Sequence, residues 1–276
     1  MQYFLNGKIN LSSIKDKEKF LYNLSYSLSY LCCQSEYESF LICAGVYHKN
    51  YYEIIERVFL SKKITVFAQK NVEISEFLYN LKQNMCKYGI YFFEENKQLY
   101  LKIFSGNGFL VDINQQNFIE KNLLSQKLFC QNDFSKKNFI NFYERNILGK
   151  MKKFFFDIKS ENLYLKEKLE RYNLVDKSSK ILIKINKDLT YNILKDNKNY
   201  DVELPKIFNK FLIKESAITE EKLIEEINLN QLKNVVNSRY LMYNKFTNYF
   251  DIFTTLEYLS KYIQKREYDK NSTKLV

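Results

Sequence analysis

Short apolar runs alternate with amphipathic segments between residues 42 and 111, and this alternation constrains the fold more than any other feature of the chain. The run at 39–46 is almost continuously apolar, which is typical of a strand buried on both faces. Shorter apolar runs follow at 64–68 and 90–93. Because segments of helical length separate these runs, we expect a three-layer α/β domain with a largely parallel sheet.

Three amphipathic segments are predicted to form the helices of this domain. The first helix is expected at 15–34, with inward residues Phe20, Leu24, Leu28 and Leu31. The second is expected to turn four residues inward, namely Tyr52, Ile55, Val58 and Phe59. The third is expected at 73–88, and we expect Gly89 to end it as a C-terminal cap.

The remaining elements are predicted from the same patterns. A strand at 99–104 and a tight turn at 105–108 complete the first domain. Further along the chain we expect a strand pair and two helices, at 180–186, 190–195, 205–213 and 250–265. The second of these helices places Ile252, Leu256, Leu259 and Ile263 on one side.

The composition excludes a disordered chain, because 46% of the residues are hydrophobic and 17% are aromatic. The five cysteines show no CxxC spacing; Cys32 and Cys33 are adjacent and cannot easily bridge, and the others lie in apolar runs. All five therefore read as reduced core thiols. The N-terminus lacks the basic and apolar regions of a signal peptide, and no window reaches the length of a membrane span. We therefore expect a cytoplasmic protein with no membrane partner.

The net charge of +11 leaves two interpretations open. A basic protein with many aromatic residues is typical of nucleic-acid binders, in which lysines contact phosphates and rings stack on bases. The lysines are scattered through nearly every segment, however, and this pattern favours an ordinary solvated surface.

Four segments carry a resemblance to a known family. The strand and turn at 101–108, reading LKIFSGNG, and the opening at 3–10 resemble the first domain of the phosphohexomutases, which move a phosphoryl group between two hydroxyls of a sugar. The strand at 181–185 with the residues after it is similar to the strand and metal loop of the third domain. The segment at 250–259 looks like that domain's last helix.

The resemblance implies a domain organisation. Residues 1–114 would form a domain I-like unit and 115–152 a helical connector. Residues 153–178 would form a shortened domain II-like unit and 179–266 a domain III-like unit, followed by a polar tail at 267–276. The expected fold class is α/β, with three-layer α/β/α domains and mixed, largely parallel sheets as in phosphohexomutase domains I to III. No counterpart of the fourth domain is expected.

The resemblance also implies an active site whose parts are not found here. The family carries its phosphoserine in Thr-Ala-Ser-His-Asn-Pro, but the matching stretch at 92–99 reads FFEENKQL. Three aspartates hold Mg²⁺ in the family, whereas the matching loop at 186–190 offers Asp188 beside a lysine. The residues at 240–246 contain no Gly-Glu-x-Ser-Gly sugar loop. Because these residues depart from the family's pattern, we expect no resident metal or cofactor.

Candidates for a residual site are few. His48 is the single histidine and follows a predicted strand, where loops of α/β domains often carry functional groups. Lys49 is adjacent to it, and Asp188 is the remaining carboxylate of the metal loop. Surface roles are favoured for all three, because a base also needs a positioned partner.

The function expected from these observations is binding without catalysis. The chain would be an inactive phosphohexomutase-like protein in sugar-phosphate metabolism, pairing with an intact phosphohexomutase or with itself. A basic nucleic-acid-binding protein is the alternative. A divergent sugar-phosphate enzyme around His48 and Lys49 is a third, and it would need a deep pocket lined by basic side chains.

Overall fold

The computed structural model of the chain describes residues 3–33, 39–45, 47–123, 139–187, 189–200, 242–244 and 249–272. These residues fall into two compact units. The first ends at Phe142 and the second begins at Tyr143. The predicted helix at 205–213 lies outside the described residues.

The described residues of the first unit form a six-stranded sheet and four α-helices. In chain order its elements are β1 (Phe4–Leu5), β2 (Lys8–Asn10), α1 (Lys17–Cys33), β3 (Ser39–Ala44), α2 (Lys49–Ser61), β4 (Thr65–Lys70), α3 (Ile74–Gln83), β5 (Tyr88–Glu95), β6 (Gln98–Ser105) and α4 (Ile113–Asn122). The strand order is β1-β2-β6-β5-β3-β4. β3 runs parallel to both β4 and β5, and the other three pairs are antiparallel.

The helices of this unit cover both faces of the sheet, as a three-layer arrangement requires. Leu24 of α1, Ile55 of α2 and Ile119 of α4 share one core with Ile90 of β5. On the opposite face, Phe77 of α3 lies 5.5 Å from the Tyr91 ring between ring centroids. Alternate residues of β5 therefore serve two separate cores, which explains why the strand reads as a continuous apolar run.

The second unit is built around a four-stranded sheet. Its elements are α5 (Phe142–Asn146, from its second residue), β7 (Asp157–Ser160), α6 (Leu163–Arg171), β8 (Ile181–Ile185), β9 (Tyr191–Lys195), β10 (Lys198–Asn199), β11 (Met242–Asn244), β12 (Tyr249–Asp251) and α7 (Ile252–Ser272). The strand order is β10-β9-β8-β7, and β7 and β8 are parallel with α6 as their crossover. β11 and β12 form a separate antiparallel pair.

The predicted fold class, α/β with mixed sheets, is confirmed. The parallel part is smaller than the sequence suggests, because β5 and β6 are joined as a hairpin instead of through a helix. The four inward residues predicted for α2 are buried, and so are the four predicted for α7. The five-part domain division stays a prediction. Within the described ranges, none of the helices combines the length and apolar character that a bilayer crossing requires.

The predicted end of the third helix is wrong. α3 stops at Gln83, and Met85 leaves it with a left-handed backbone at φ 54°. Gly89 lies inside β5 and caps nothing. A Cβ built on it would come within 2.5 Å of Phe77 Cζ, so the glycine lets α3 pack closely on the sheet.

Two other expectations are corrected. The last helix begins at Ile252 and continues to Ser272, beyond the predicted end at 265. Cys32 and Cys86 are buried thiols, as expected of core cysteines, but Cys33 is disulfide-bonded. The prediction that the cysteines are reduced is therefore wrong for Cys33.

Candidate functional site

The candidate site lies at the carboxyl edge of the parallel strands β5, β3 and β4. Phe92, Ala44 and Lys70 are aligned across these strands and mark that edge. In α/β sheets, ligands bind outside the carboxyl ends of parallel strands, since the loops there leave the sheet together. The predicted candidate His48 lies in the loop that leaves β3 at this edge.

His48 precedes the first residue of α2 as its N-terminal cap residue, but its side chain makes no capping hydrogen bond. Its ring lies 5.2 Å from the Tyr51 ring between centroids. The Nε2 atom is buried and has no hydrogen-bond partner among the residues that the structure describes. A buried ring nitrogen without a partner is a site where a ligand group could donate or accept a hydrogen bond.

Lys49 is positioned differently from its neighbour. Its side chain is largely exposed, and its Nζ lies 3.7 Å from the Glu53 carboxylate, one turn along α2. Such exposed pairs are screened by water and hold a side chain only weakly. Asp188 lies outside the described residues. The roles of His48, Lys49 and Asp188 in a residual site stay predictions.

Aromatic side chains cover this edge of the sheet. Tyr47 contacts Tyr52 edge to face at 5.0 Å, and the Lys70 Nζ lies 4.0 Å from the centre of the Tyr47 ring. The Tyr52 hydroxyl donates to the Gln69 carbonyl oxygen at 3.2 Å. The Lys70 ammonium group therefore already makes a cation–π contact with Tyr47 of the same chain.

Gln69 is the residue at this edge that the sequence reasoning missed. It is 6% exposed, and within the described part of the chain its Oε1 has no hydrogen-bond partner. The signal was present, because Gln69 is in the same strand register as the buried Phe67, at a position where an apolar residue is expected. A polar residue on the buried side of a strand marks either strain or a ligand group.

Replacing Gln69 tests whether its buried side-chain oxygen lowers the free energy of unfolding. We expect Gln69→Met to raise the free energy of unfolding by about 1 kcal/mol, because an apolar side chain of similar length removes a buried acceptor that has no donor. Urea unfolding measures this change. Gln83→Met is the matched control, since Gln83 is exposed at the end of α3 and should show no gain. A loss of stability in Gln69→Met would contradict the absence of a donor.

The stretch at 92–99, where the family resemblance places the phosphoserine, is a tight hairpin. Glu95 pairs with Gln98, and the two residues between them complete the turn. Asn96 and Lys97 have φ of 52° and 62°, as a type I′ turn requires. Glu95 is ion-paired with Lys8, and Glu94 is exposed. The two acids are therefore structural and surface residues of a hairpin.

The described residues were also compared with the requirements of a metal site and of a reactive side chain. No group of three His, Cys, Asp or Glu residues in the described ranges is arranged to hold a metal ion. Burial raises the pKa of the Cys32 thiol far above its ordinary value, with the charge of Cys86 adding to the effect, so Cys32 stays protonated and unreactive. Burial likewise raises the pKa of Tyr88 to about 12. Neither group lies at the carboxyl edge, where the described residues supply hydrogen-bonding and aromatic groups such as His48, Gln69 and Tyr52.

A second concave surface lies in the second unit, between β7 and α6. Its volume is about 370 Å³, and it contains neither His48 nor Lys49. The sequence reasoning did not identify it, because its residues are ordinary surface lysines and acids in the linear chain.

No family model matches the chain, and no curated protein sequence matches it significantly. Solved structures do match in fold. A phosphoglucomutase/phosphomannomutase family protein from Burkholderia thailandensis superimposes with a TM-score of 0.51 at 9% identity, over 74% of this chain and 56% of that chain. The likeness is to phosphohexomutases. A putative phosphomannomutase from Thermus thermophilus gives a TM-score of 0.49 at 7% identity, over 75% of this chain and 59% of that one.

The match to the Burkholderia protein shows the fold alone at this level of identity. The chain spans little more than half of the length of either protein. The predicted resemblance is thus confirmed as a phosphohexomutase-like α/β fold.

Proposed function

We propose that this chain is a catalytically inactive phosphohexomutase-like protein that acts by binding in the cytoplasm. The observation that carries the proposal is the β5–β6 hairpin within a phosphohexomutase-like fold. In the family, the segment before the Lys-Ile-Phe strand is a loop that presents a phosphoserine. Here the same segment is two paired strands joined by Asn96 and Lys97, and no serine lies between Gly89 and Phe104.

A two-residue turn leaves no loop from which a nucleophile could reach a substrate. Phosphoryl transfer depends on positioning and on neutralising the phosphate charge, because the enzyme supplies little other chemistry. The hairpin places Glu94 and Glu95 where the family needs a phosphate acceptor, and carboxylates repel a sugar phosphate.

Binding to a protein is favoured over binding to nucleic acid. Among the described residues, seven lysines lie over aromatic rings of the chain itself: Lys8, Lys62, Lys70, Lys87, Lys102, Lys168 and Lys195. Lysines and rings that pair with each other in this way are less available for phosphates and bases. We propose an intact phosphohexomutase, or a second copy of the chain, as the partner in a regulatory or scaffold role.

An activity assay tests the proposal. We expect the purified chain to give no Mg²⁺-dependent interconversion of 1- and 6-phosphates of glucosamine or mannose, measured by ³¹P NMR against a protein-free sample. The physical reason is the missing phosphoserine loop. Turnover that stops when EDTA is added would overturn the proposal.

A matched variant keeps that outcome interpretable. If turnover is seen, Glu94→Gln with Glu95→Gln shows whether a carboxylate has replaced the serine as phosphoryl acceptor.

Sedimentation velocity of the chain, alone and mixed with an intact phosphohexomutase, tests the proposed partner. A chain that stays monomeric in both samples would contradict the proposed pairing.

A further inference from the structure

The cleft of about 370 Å³ in the second unit runs along the free edge of a strand. All four residues of β7, Asp157 to Ser160, line it. Successive side chains of a strand point to opposite faces, so a cleft that touches every residue must follow the strand's edge. Among the described residues, β7 pairs with β8 and with no other strand. The cleft is therefore a groove between an edge strand and α6, and we call it the β7 groove.

Hydrogen bonding shows which backbone groups face the β7 groove. The Glu161 N–H donates to the Ile185 carbonyl of β8 at 2.8 Å, so Asp157 and Lys159, in the same register as Glu161, also face β8. Residues alternate in direction along a parallel strand, so Ile158 and Ser160 direct their N–H and C=O groups to the open edge.

Immediately before β7 this edge is already used, because the Phe156 carbonyl accepts from the Asp176 N–H at 3.2 Å, but within β7 it is only partly paired. The Ile158 N–H donates to the Asp157 Oδ1 at 2.9 Å. Within the part of the chain that the structure describes, the Ile158 carbonyl and the Ser160 N–H take part in no hydrogen bond. They are one acceptor and one donor, two residues apart on the same edge, which is the pattern that an added strand satisfies.

The floor of the groove is apolar and its rim is basic. Leu169 and Val175 supply apolar surface, and Leu169 is only 4% exposed. The rim carries three exposed lysines, Lys159, Lys166 and Lys177. Among the described residues, none of the three forms an ion pair. Asp157 and Glu170 are the acids of the lining, so lysines outnumber acids by three to two.

We propose that the β7 groove binds an extended acidic peptide segment of another protein, which adds to the sheet as a strand beside β7. Its backbone would pair with Ile158 and Ser160. An apolar side chain would contact Leu169 and Val175, and its carboxylates would lie near the three rim lysines. This mode of recognition takes affinity from main-chain hydrogen bonds and specificity from side-chain pockets. The inference depends on the groove alone and holds whether or not the chain acts on sugar phosphates.

The dimensions of the groove fit a short segment. Four residues of β7 extend over roughly 13 Å, at about 3.3 Å for each residue. A free sugar phosphate would use the lysines but leave the strand edge unpaired. The unpaired donor and acceptor therefore favour a peptide over a small anion.

A peptide with alternating glutamate and valine residues, six residues long and labelled with fluorescein, is the probe. Fluorescence anisotropy with the full chain measures its binding. Two further versions of the peptide carry N-methyl groups on alternate backbone nitrogens. One version is methylated at the odd-numbered residues and the other at the even-numbered residues. If the peptide adds as a strand, one copy loses about tenfold in affinity and the other binds normally, because only alternate N–H groups face β7.

Substitutions test the rim. We expect Lys166→Ala with Lys177→Ala to weaken binding about fivefold, as two partly exposed charge pairs would. Lys198→Ala is the matched control, because Lys198 is an exposed lysine on β10, at the opposite edge of the same sheet. Amide hydrogen exchange at Ser160 should slow in the complex.

Several outcomes would overturn the proposal. Equal binding of both N-methylated peptides would show that charge alone, and not backbone pairing, accounts for the interaction. An equal effect of Lys198→Ala would show that general surface charge is responsible. If inorganic phosphate shifts the groove amides in NMR spectra and the peptide does not, the groove is a small-anion site. Absence of any binding also refutes it.

Discussion

Gly106→Ala is expected to lower the free energy of unfolding of the first unit by about 3 kcal/mol, at the upper end of the usual cost of overpacking. A Cβ at this position would lie 2.2 Å from the Cys86 carbonyl oxygen and 3.3 Å from that of Lys87. Both atoms belong to the backbone, so no side chain can rotate to make room.

Both segments at this contact are held in place, which is why relaxation is costly. The Cys86 N–H donates to the Leu81 carbonyl at 3.0 Å, and Cys86 is 1% exposed. On the other side, the Ser105 N–H donates to the Phe109 carbonyl at 2.8 Å and the Gly108 N–H to the Ser105 carbonyl at 2.9 Å. The added methyl group must therefore break hydrogen bonds on one side or the other.

Urea unfolding of the full chain, with hydrogen exchange at β5 and β6, measures the effect within the first unit. Gly45→Ala is the matched control, because a Cβ there would meet its nearest atom, the Tyr91 hydroxyl oxygen, at an ordinary 3.5 Å. We expect a change within about 0.5 kcal/mol for this variant. Equal losses in the two variants would show that the chain loses stability for a reason other than the close approach.

Gly106 illustrates how far the sequence predicts this fold. The turn at 105–108 follows from local chemistry, since glycine and asparagine favour tight turns. The structure adds that the backbone of Cys86 approaches the turn, a contact across 20 positions of sequence that no local pattern contains. Gly89 is similar, because its place beneath Phe77 depends on how α3 packs, and the sequence alone suggested a helix cap instead.

The candidate site shows the same limit. His48 could be found because a single histidine after a buried strand is visible in the sequence. The ion pair of Glu95 with Lys8 could not be predicted from the sequence. It depends on β2 and β5 lying in one sheet, on either side of β6. The β7 groove could not be predicted either, because the sequence does not show that β7 pairs with a neighbouring strand on one side only. Periodicity predicts elements well, whereas sites depend on which elements become neighbours.

The buried carboxylate of Glu144 is the basis of the second large effect. Lys168 is ion-paired with it, and their side chains are 7% and 15% exposed, respectively. The Tyr172 hydroxyl donates to Glu144 Oε2 at 3.0 Å, and the Arg171 Nη1 lies 3.2 Å from the same oxygen. One carboxylate on α5 therefore joins three side chains at the end of α6, and it compensates the charge of a lysine that is largely removed from water.

Glu144→Gln is expected to lower the free energy of unfolding by about 2 kcal/mol near neutral pH, because Lys168 then stays buried without a negative charge beside it. Burial raises the pKa of Glu144, but the hydrogen bond and charge of Lys168, with Tyr172 and Arg171, outweigh it and hold the pKa below its ordinary 4.5. A depressed pKa stabilises the fold above the unfolded-state value, and this contribution is lost as the pH falls through the folded-state value.

The difference in stability between wild type and Glu144→Gln should therefore be full above pH 4.5 and shrink as the pH falls below it. Urea unfolding of both proteins across this range measures the difference. Glu257→Gln is the matched control, because Glu257 pairs with Lys261 at 2.7 Å on the exposed side of α7, where the pair contributes at most about 0.5 kcal/mol. A difference for Glu144→Gln that stays constant with pH would show that the lost stability comes from packing and not from the charge.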